Sequence, residues 1–219
     1  MLSATLVTAV AWFVSLAPPS RSAEDTLRVA RLASVPLLDG RVDKREYGTP
    51  ALELVTAAGR ARVWIGQHED FVYIAADLPD STFYWGDDFV ISLDPAGRGG
   101  TSPTAGSRQW YLRRSLDSSV VSTAEAGRWS SPGREPSALG STRHHADWDV
   151  ASSSSPTGWT VEVRIRVAAV NTGPGAPRLA FRTYNDRPTG WWSWPVPPVG
   201  FSPQRVERTP DFWIPIRLP

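Results

Sequence analysis

A chain of 219 residues is long enough to bury the core of one β domain and too short to favour two. Its 23 basic and 22 acidic side chains leave a net charge of +1, which excludes a bulk field that would attract nucleic acid or an anionic membrane. It has no cysteine, which excludes disulfides and thiolate metal sites, and its 20 prolines and 17 glycines favour strands and loops over long helices.

The chain begins with a short apolar run over residues 2–17, followed by two prolines and small residues, as in a secretory signal peptide. We expect a signal peptide over residues 1–23, leaving one secreted, monomeric domain over residues 24–219. The alternative is an N-terminal membrane anchor, although the run is shorter than the ~20 residues that a spanning helix needs.

Runs of apolar, β-branched and aromatic residues between polar turns predict about ten short strands. They are residues 27–32, 51–55, 63–66, 71–77, 89–93, 108–116, 118–126, 158–167, 179–186 and 211–218. A helical turn is predicted over residues 44–47 and a hairpin turn over residues 68–70. These elements predict an all-β fold, an antiparallel two-sheet β-sandwich, with a closed barrel as the alternative.

The strand 158–167 has the clearest period of two. Its valines and isoleucine are predicted to face the core, whereas Thr160, Glu162, Arg164 and Arg166 are predicted to face water. A slip of one residue would bury the charged side chains, so the register is well determined. In the last strand, Pro215 predicts an edge or a bulge.

Two places on these elements are candidates for ligand binding. The loop before the strand 89–93 exposes the pair Tyr84-Trp85 next to Asp87 and Asp88, although such aspartates most commonly cap turns and could also hold a structural calcium ion. The strand 108–116 places Gln109, Tyr111 and Arg113 on one face and Trp110, Leu112 and Arg114 on the other. The first face could bond a hydroxyl-rich ligand, but an ordinary solvated strand face explains it as well.

The segment H-H-A-D-W-D at residues 144–149 has side chains that can ligate metals. Adjacent histidines point to opposite faces of a strand, however, and no third cluster accompanies His144 and His145. An exposed polar strand explains the segment, so no metal site and no cofactor are predicted.

Five strings in order along residues 35–218 link the chain to a known family. They are P-L-L-D-G-R-V-D, A-R-V-W-I-G-Q-H-E-D-F-V-Y-I-A-A-D-L-P-D, W-G-D-D-F-V-I-S-L-D-P, G-W-T-V-E-V-R-I, and Y-N-D with S-W. They resemble strings of the family 9 carbohydrate-binding modules, namely I-D-G-x-x-D, A-x-V-x-x-x-x-D-x-x-x-L-Y-V-x-x-x-V-x-D, W-x-x-D-S-V-E-I-F-I-D, G-Y-x-V-E-x-x-I and V-N-D with S-W. DOMON-related secreted sandwich domains form the wider group.

The resemblance implies a jelly-roll-like sandwich that binds polysaccharide ends without catalysis, often attached to glycoside hydrolases in polysaccharide catabolism. The family holds a pyranose between two aromatic rings while planar polar groups bond its hydroxyls. The ligand-binding residues predicted here are Trp85, Asp88, Gln109, Tyr111, Arg113, Asn185, Trp192 and Phe201. Two positions depart from the family: its ligand-bonding Glu falls on Ile91, and no Trp stands at the spacing of the second aromatic clamp, where Phe201 is nearest and Trp191 or Trp192 could substitute.

Most other tryptophans are predicted to pack rather than to bind. Trp64, Trp110, Trp159 and Trp213 lie in strands, where aromatic residues usually cover a sheet or fill the core. Trp191, Trp192 and Trp194 cannot all be buried on one strand, because neighbouring side chains alternate in direction.

The favoured function is non-catalytic carbohydrate binding. A ligand-free sandwich that serves adhesion or assembly is the first alternative, and the apolar Ile91 supports it. A haem-binding electron-transfer domain of the same fold group is less favoured, because Met1 is the only methionine and the three histidines are poorly placed as axial ligands. A hydrolase is not predicted, since no acid/base pair, G-x-S-x-G or H-E-x-x-H motif is recognisable.

Overall fold

The structure is a computed structural model and describes residues 26–82, 84, 86–104, 106–114 and 148–219, together with the backbone of residues 144–145. Three predictions fall outside the described residues: the signal peptide, the strand 118–126 and the site residue Trp85.

Short strands make up most of the described chain. They are β1 (Leu27–Arg28), β2 (Ala30–Arg31), β3 (Leu52–Thr56), β4 (Gly59–His68), β5 (Phe71–Pro79), β6 (Asp88–Asp94), β7 (Arg108–Arg113), β8 (His144–His145), β9 (Trp148–Ser155), β10 (Gly158–Arg166), β11 (Arg178–Asp186), β12 (Thr189–Trp194) and β13 (Ile214–Arg217). The helical turns are α1 (Lys44–Tyr47), α2 (Val167–Val170), α3 (Pro203–Glu207) and a 3-10 turn (Pro210–Phe212). Within the described ranges, no helix is long and apolar enough to cross a membrane.

The strands form two sheets. The front sheet has the order β1-β13-β11-β6-β7, with β12 also paired to β11, and the back sheet has the order β2-β4-β5-β10-β9-β8, with β3 also paired to β4. The pairs β1–β13 and β2–β4 are parallel. The other pairs among the described strands are antiparallel. The two-sheet β-sandwich predicted from the sequence is confirmed.

The core lies between the sheets and is filled by every second residue of the facing strands. From the back sheet come Val161, Val163 and Ile165, which confirms the predicted inward face of β10, and from the front sheet Ile91 and Phe181. The phenyl rings of Phe89 and Phe181 stack with centroids 5.7 Å apart. The prediction that Trp64, Trp110, Trp159 and Trp213 fill the core or cover a sheet is confirmed, because all four are buried, Trp110 and Trp159 in this core and the other two in smaller clusters.

The prediction that Glu162 faces water is wrong. Its side chain points to the outer face of the back sheet as the alternation requires, but the chain N-terminal to β3 covers it, and it is 0% exposed. Glu162 Oε2 accepts hydrogen bonds from the backbone N–H groups of Asp39 (3.1 Å), Gly40 (2.6 Å) and Arg41 (3.1 Å), and Oε1 accepts one from the Tyr47 hydroxyl (2.7 Å). The buried carboxylate therefore anchors this segment to the sheet.

Both chain-terminal strands differ from their predictions. The run 27–32 divides into β1, which joins the front sheet, and β2, which joins the back sheet. The strand that carries Pro215 does not lie at an edge, because β13 is placed between β1 and β11. Proline is tolerated there because the partner residues of β1 are Ile216 and Arg217, so no bond to β1 requires an N–H from Pro215.

Candidate functional site

The outer face of the front sheet gathers four of the predicted site residues. Strands β6 and β7 pair with Asp88 opposite Arg113, Val90 opposite Tyr111, and Ser92 opposite Gln109. Residues paired in this way lie on the same face of a sheet. Asp88, Gln109, Tyr111 and Arg113 are therefore neighbours, and the last three share this face as the period of two in the strand 108–116 predicted.

The centre of this face is Arg182 of β11, which the sequence reasoning missed. Its guanidinium is 3% exposed and donates from Nη1 to Asp88 Oδ1 at 2.7 Å and from Nε to Glu207 Oε2. The other Asp88 oxygen accepts a hydrogen bond from the Tyr111 hydroxyl at 2.5 Å. The polar floor of the face, formed by Asp88, Tyr111, Arg182 and Glu207, is thus held by charge-assisted bonds.

Helix α3 covers the part of the face next to Gln109. Val206 of this helix packs with Ala180 and Trp213, and its neighbour Glu207 turns towards the floor. Gln109 donates from Nε2 to Glu207 Oε1 at 2.8 Å. Its amide nitrogen is therefore engaged by the protein's own carboxylate.

An alternating series of rings and guanidinium groups crosses the face. The Arg113 and Arg182 guanidinium carbons lie 5.4 and 5.7 Å from the centroid of the Tyr111 ring. Arg182 also lies 4.6 Å from the Trp191 ring centroid, and that ring meets Tyr184 with centroids 4.3 Å apart. Such cation–π contacts gain strength where water is excluded, so the series fixes the orientation of the rings.

Trp191 and Tyr184 form what we call the aromatic shelf. Trp191 is 38% exposed and Tyr184 is half-buried. Gly86 lies against the shelf, because a Cβ atom added there would be 3.0 Å from Tyr84 Cε1 and 3.7 Å from Tyr184 Cε1. Tyr84, on the loop that the sequence singled out, and Tyr184 of the shelf therefore both lie next to Gly86.

Burial dominates the ionisation of the floor. It raises the pKa of Asp88 to about 6, although the Arg182 cation and the Tyr111 hydroxyl both favour the carboxylate. Burial alone would lower the pKa of Arg182, but the Asp88 and Glu207 carboxylates outweigh it and raise this pKa. Burial and the Asp88 carboxylate raise the pKa of Tyr111. At neutral pH the Asp88 carboxyl is therefore mostly ionised beside the Arg182 cation, whereas the Tyr111 hydroxyl keeps its proton.

Two of the other predicted residues that the structure describes, Trp192 and Asn185, do not lie on this face. In β12, Trp191 pairs with Tyr184 on the outer face, so Trp192 points to the opposite side of the strand. Asn185 also points away from the floor, is buried, and donates to the Pro79 carbonyl at 3.3 Å. Phe201 is 45% exposed in the connection between β12 and α3, where its ring packs against Phe212 with centroids 5.0 Å apart.

The residue that departs from the family Glu also lies elsewhere. Ile91 is in the core between the sheets, so it cannot contact a ligand on the outer face. Val90 precedes it on the outer face, opposite Tyr111 and Arg182. Both residues are apolar, so no carboxylate is present at this point of β6.

Two acidic groups considered for metal binding have other partners. Asp87 accepts hydrogen bonds from the backbone N–H groups of Tyr84 (2.9 Å) and Asp186 (3.0 Å), which is the capping role expected from the sequence. Asp149 pairs with Arg164 Nε at 2.5 Å. Among the residues that the structure describes, no three His, Asp or Glu side chains are grouped to hold a metal ion.

The fold is that of the family 9 carbohydrate-binding modules, as the sequence resemblance implied. A module of this family from Caldicellulosiruptor kristjanssonii in complex with cellotriose has 15% sequence identity and a TM-score of 0.53, over 87% of this chain and 93% of the module. A family 9 module from the same organism in complex with glucose has 15% identity and a TM-score of 0.54, over 88% and 95% of the two chains. No protein-family model and no curated protein sequence matches this chain.

Proposed function

We propose that this protein binds carbohydrate without catalysis, through the aromatic shelf and the polar residues beside it. The observation that carries the proposal is the exposed ring of Trp191 on a fold shared with modules described in complex with cellotriose and glucose. A flat indole can accept the apolar C–H face of a pyranose. Arg113 and Asp186, both half-buried, border the same face and could bond sugar hydroxyls.

The setting of this activity is also part of the proposal. The apolar run at residues 2–17 supports export, and a sugar is held by ring stacking and hydrogen bonds that need no cofactor. We infer an extracytoplasmic, monomeric binding module whose ligand is a soluble oligosaccharide or the end of a polysaccharide.

A ligand-free sandwich for adhesion or assembly is the second candidate, and one observation favours it. Asp88, Gln109, Arg182 and Glu207 bond one another rather than facing solvent. These groups could hydrogen-bond a ligand only if the ligand replaced the bonds that they make to one another. Binding therefore depends on the shelf and its exposed border more than on the floor.

The test is isothermal titration calorimetry with cellotriose and glucose, after a glycan array on the wild type. We expect Trp191→Ala to weaken binding by about 2 kcal/mol or more, the scale of losing an aromatic anchor, with an unchanged circular dichroism spectrum. Trp85→Ala tests the tryptophan that the sequence favoured. Arg60→Ala is the control, because Arg60 is exposed on the back sheet.

Two results would reject the proposal. A folded wild type that binds nothing on the array favours the ligand-free sandwich. Binding that survives Trp191→Ala unchanged removes the shelf from the site.

A further inference from the structure

Arg114 is the residue directly after β7, and its side chain enters the end of the sandwich instead of the outer face. It is 4% exposed, and its backbone N–H donates to the Asp87 carbonyl at 2.9 Å. A guanidinium buried to this degree must have its donors satisfied. Its partners therefore show which parts of the molecule it connects.

All five N–H groups of this guanidinium have an acceptor. Nε donates to Ser154 Oγ (3.1 Å), Nη1 to the carbonyls of Asp80 (3.3 Å) and Thr82 (2.8 Å), and Nη2 to those of Ser155 (2.7 Å) and Gly158 (3.3 Å). Asp80 Oδ2 lies 3.4 Å from Nη1 as an ion pair. One side chain thus joins the β9–β10 turn of the back sheet to the start of the connection from β5 to β6.

That connection bounds the aromatic shelf. It contains Tyr84, which lies beside Gly86 and Tyr184, and its described residues are tied at both ends. At the start, Asp80 Oδ1 accepts from the Thr82 N–H at 2.9 Å, and at the end Asp87 Oδ2 accepts from the Tyr84 N–H at 2.9 Å. Both ties begin at residues whose carbonyls accept hydrogen bonds from Arg114.

We propose that Arg114 is a positioning residue for the carbohydrate-binding surface, holding the connection from β5 to β6 so that Tyr84 lies against the aromatic shelf. The proposal rests on the proposed function. The five acceptors around Arg114 belong to two separate segments, the β9–β10 turn and the connection, which suits a forked guanidinium with five donors. Lysine has three donors on a single atom, so it cannot bond all five acceptors.

The first experiment is hydrogen exchange on the wild type and Arg114→Lys. We expect the amides of Thr82, Tyr84 and Asp186 to lose protection, while amides of β10 keep theirs. Arg60→Lys is the matched control, because Arg60 is exposed on the back sheet and pairs with Glu53, away from the connection. Unchanged protection at the three amides would overturn the proposal.

The second experiment separates positioning from stability by titrating cellotriose. We expect Arg114→Lys to raise Kd by about tenfold, because the surface is no longer preorganised. The comparison is an alanine variant of Val161, Val163 or Ile165 with the same urea midpoint, which should leave Kd unchanged. An equal rise in Kd in the core variant would show that Arg114 acts only through stability and would overturn the proposal.

A less disruptive variant covers the case in which Arg114→Lys does not fold. Ser154→Ala removes the acceptor of Arg114 Nε alone and should give both effects in the same direction at smaller size. Normal exchange and normal Kd in this variant, with Arg114→Lys unfolded, would overturn the proposal. A wild type that binds no glycan rejects the proposed function, and the exchange experiment then decides separately whether Arg114 holds the connection.

Discussion

Arg182 shows how much of the floor depends on one side chain. It bonds two carboxylates from different elements, Asp88 on β6 and Glu207 on α3, in a place with almost no solvent. Removing one member of a buried ionic group leaves the others without a partner, which costs far more than the intact group contributes. The arrangement is therefore sensitive to substitution at its centre.

We expect Arg182→Lys to lower the free energy of unfolding by about 3 kcal/mol or more, because one ammonium cannot satisfy both carboxylates. Urea denaturation followed by circular dichroism measures this. Arg60→Lys is the control, because Arg60 and Glu53 form an exposed ion pair. This substitution should change the free energy of unfolding by less than about 0.5 kcal/mol. A loss in Arg182→Lys as small as the control's would show that the floor is not held by this guanidinium.

Sequence reasoning found one strand of the site and missed its centre. Gln109, Tyr111 and Arg113 followed from the period of two, because alternation fixes which side chains share a face, and Asp88 followed from its place beside the pair Tyr84-Trp85. Arg182 left a signal that could have been used, because it is a charged residue directly after the apolar residues 179–181 in the middle of a strand. Glu207 left none, because a helical turn far along the chain brings it to the face.

The choice between Trp191 and Trp192 illustrates a different limit. Alternation requires that the two rings point to opposite sides of β12, and this was predicted correctly. Which ring faces outward depends on the register with β11, where Tyr184 pairs with Trp191. Register is set by tertiary pairing, which the residues of β12 do not encode alone.

At the level of elements, the largest difference from the prediction is the segment that covers the outer face of the back sheet. The pattern of β10 gave the correct direction for Glu162 but not its environment, because the covering segment is more than 100 residues away in sequence. Gly40 allows the approach: its φ is +81°, and a Cβ there would be 2.5 Å from the Ser152 carbonyl carbon. The segment around Asp39 and Gly40 thus docks on the outer face of the back sheet.

We expect Glu162→Ala to lower the free energy of unfolding by about 3 kcal/mol or more, because three backbone N–H groups and a hydroxyl lose their acceptor. Glu162→Gln keeps one oxygen acceptor and should cost less. Tyr47→Phe removes one bond to the carboxylate and should cost about 2 kcal/mol. Equal stabilities of the Ala variant and the wild type in urea would contradict the anchoring role.

For the whole molecule, three buried carboxyl groups predict an unusual pH dependence. Burial raises the pKa of Asp87 from 3.8 to about 6, with Asp80 adding to the rise against the Tyr84 and Asp186 amides. Burial also raises the pKa of Asp88 to about 6, and that of Glu162. A group with a higher pKa in the folded state binds protons better when the protein is folded. Stability therefore falls as the pH rises from the ordinary aspartate pKa of 3.8 through the folded-state value of about 6.

We therefore expect a higher urea midpoint at pH 5 than at pH 7.5. Asp80→Asn should weaken this dependence, because it removes the charge that helps to raise the pKa of Asp87. NMR titration of the Asp87 carboxyl carbon in both proteins gives the pKa directly. A midpoint that rises from pH 5 to pH 7.5 would contradict the assignment.

The architecture as a whole was predictable because most strands are long enough to show a pattern. Strands of seven to ten residues, such as β4, β5, β6 and β10, show clear apolar runs between turn residues. Each of the two parallel pairings among the described strands includes β1 or β2, and each of these strands is two residues long. Elements this short carry no periodicity, so only the folded structure reveals that one short stretch joins both sheets.

The parallel pair β1–β13 determines how the two ends of the domain resist a pulling force. Leu27 lies beside Ile216 and Arg28 beside Arg217, and the Val29 N–H donates to the Arg217 carbonyl at 2.9 Å. A force that pulls the chain before β1 away from the chain after β13 acts along these strands in opposite directions. The bonds between them are then loaded in shear and share the tension, instead of opening one after another from an end.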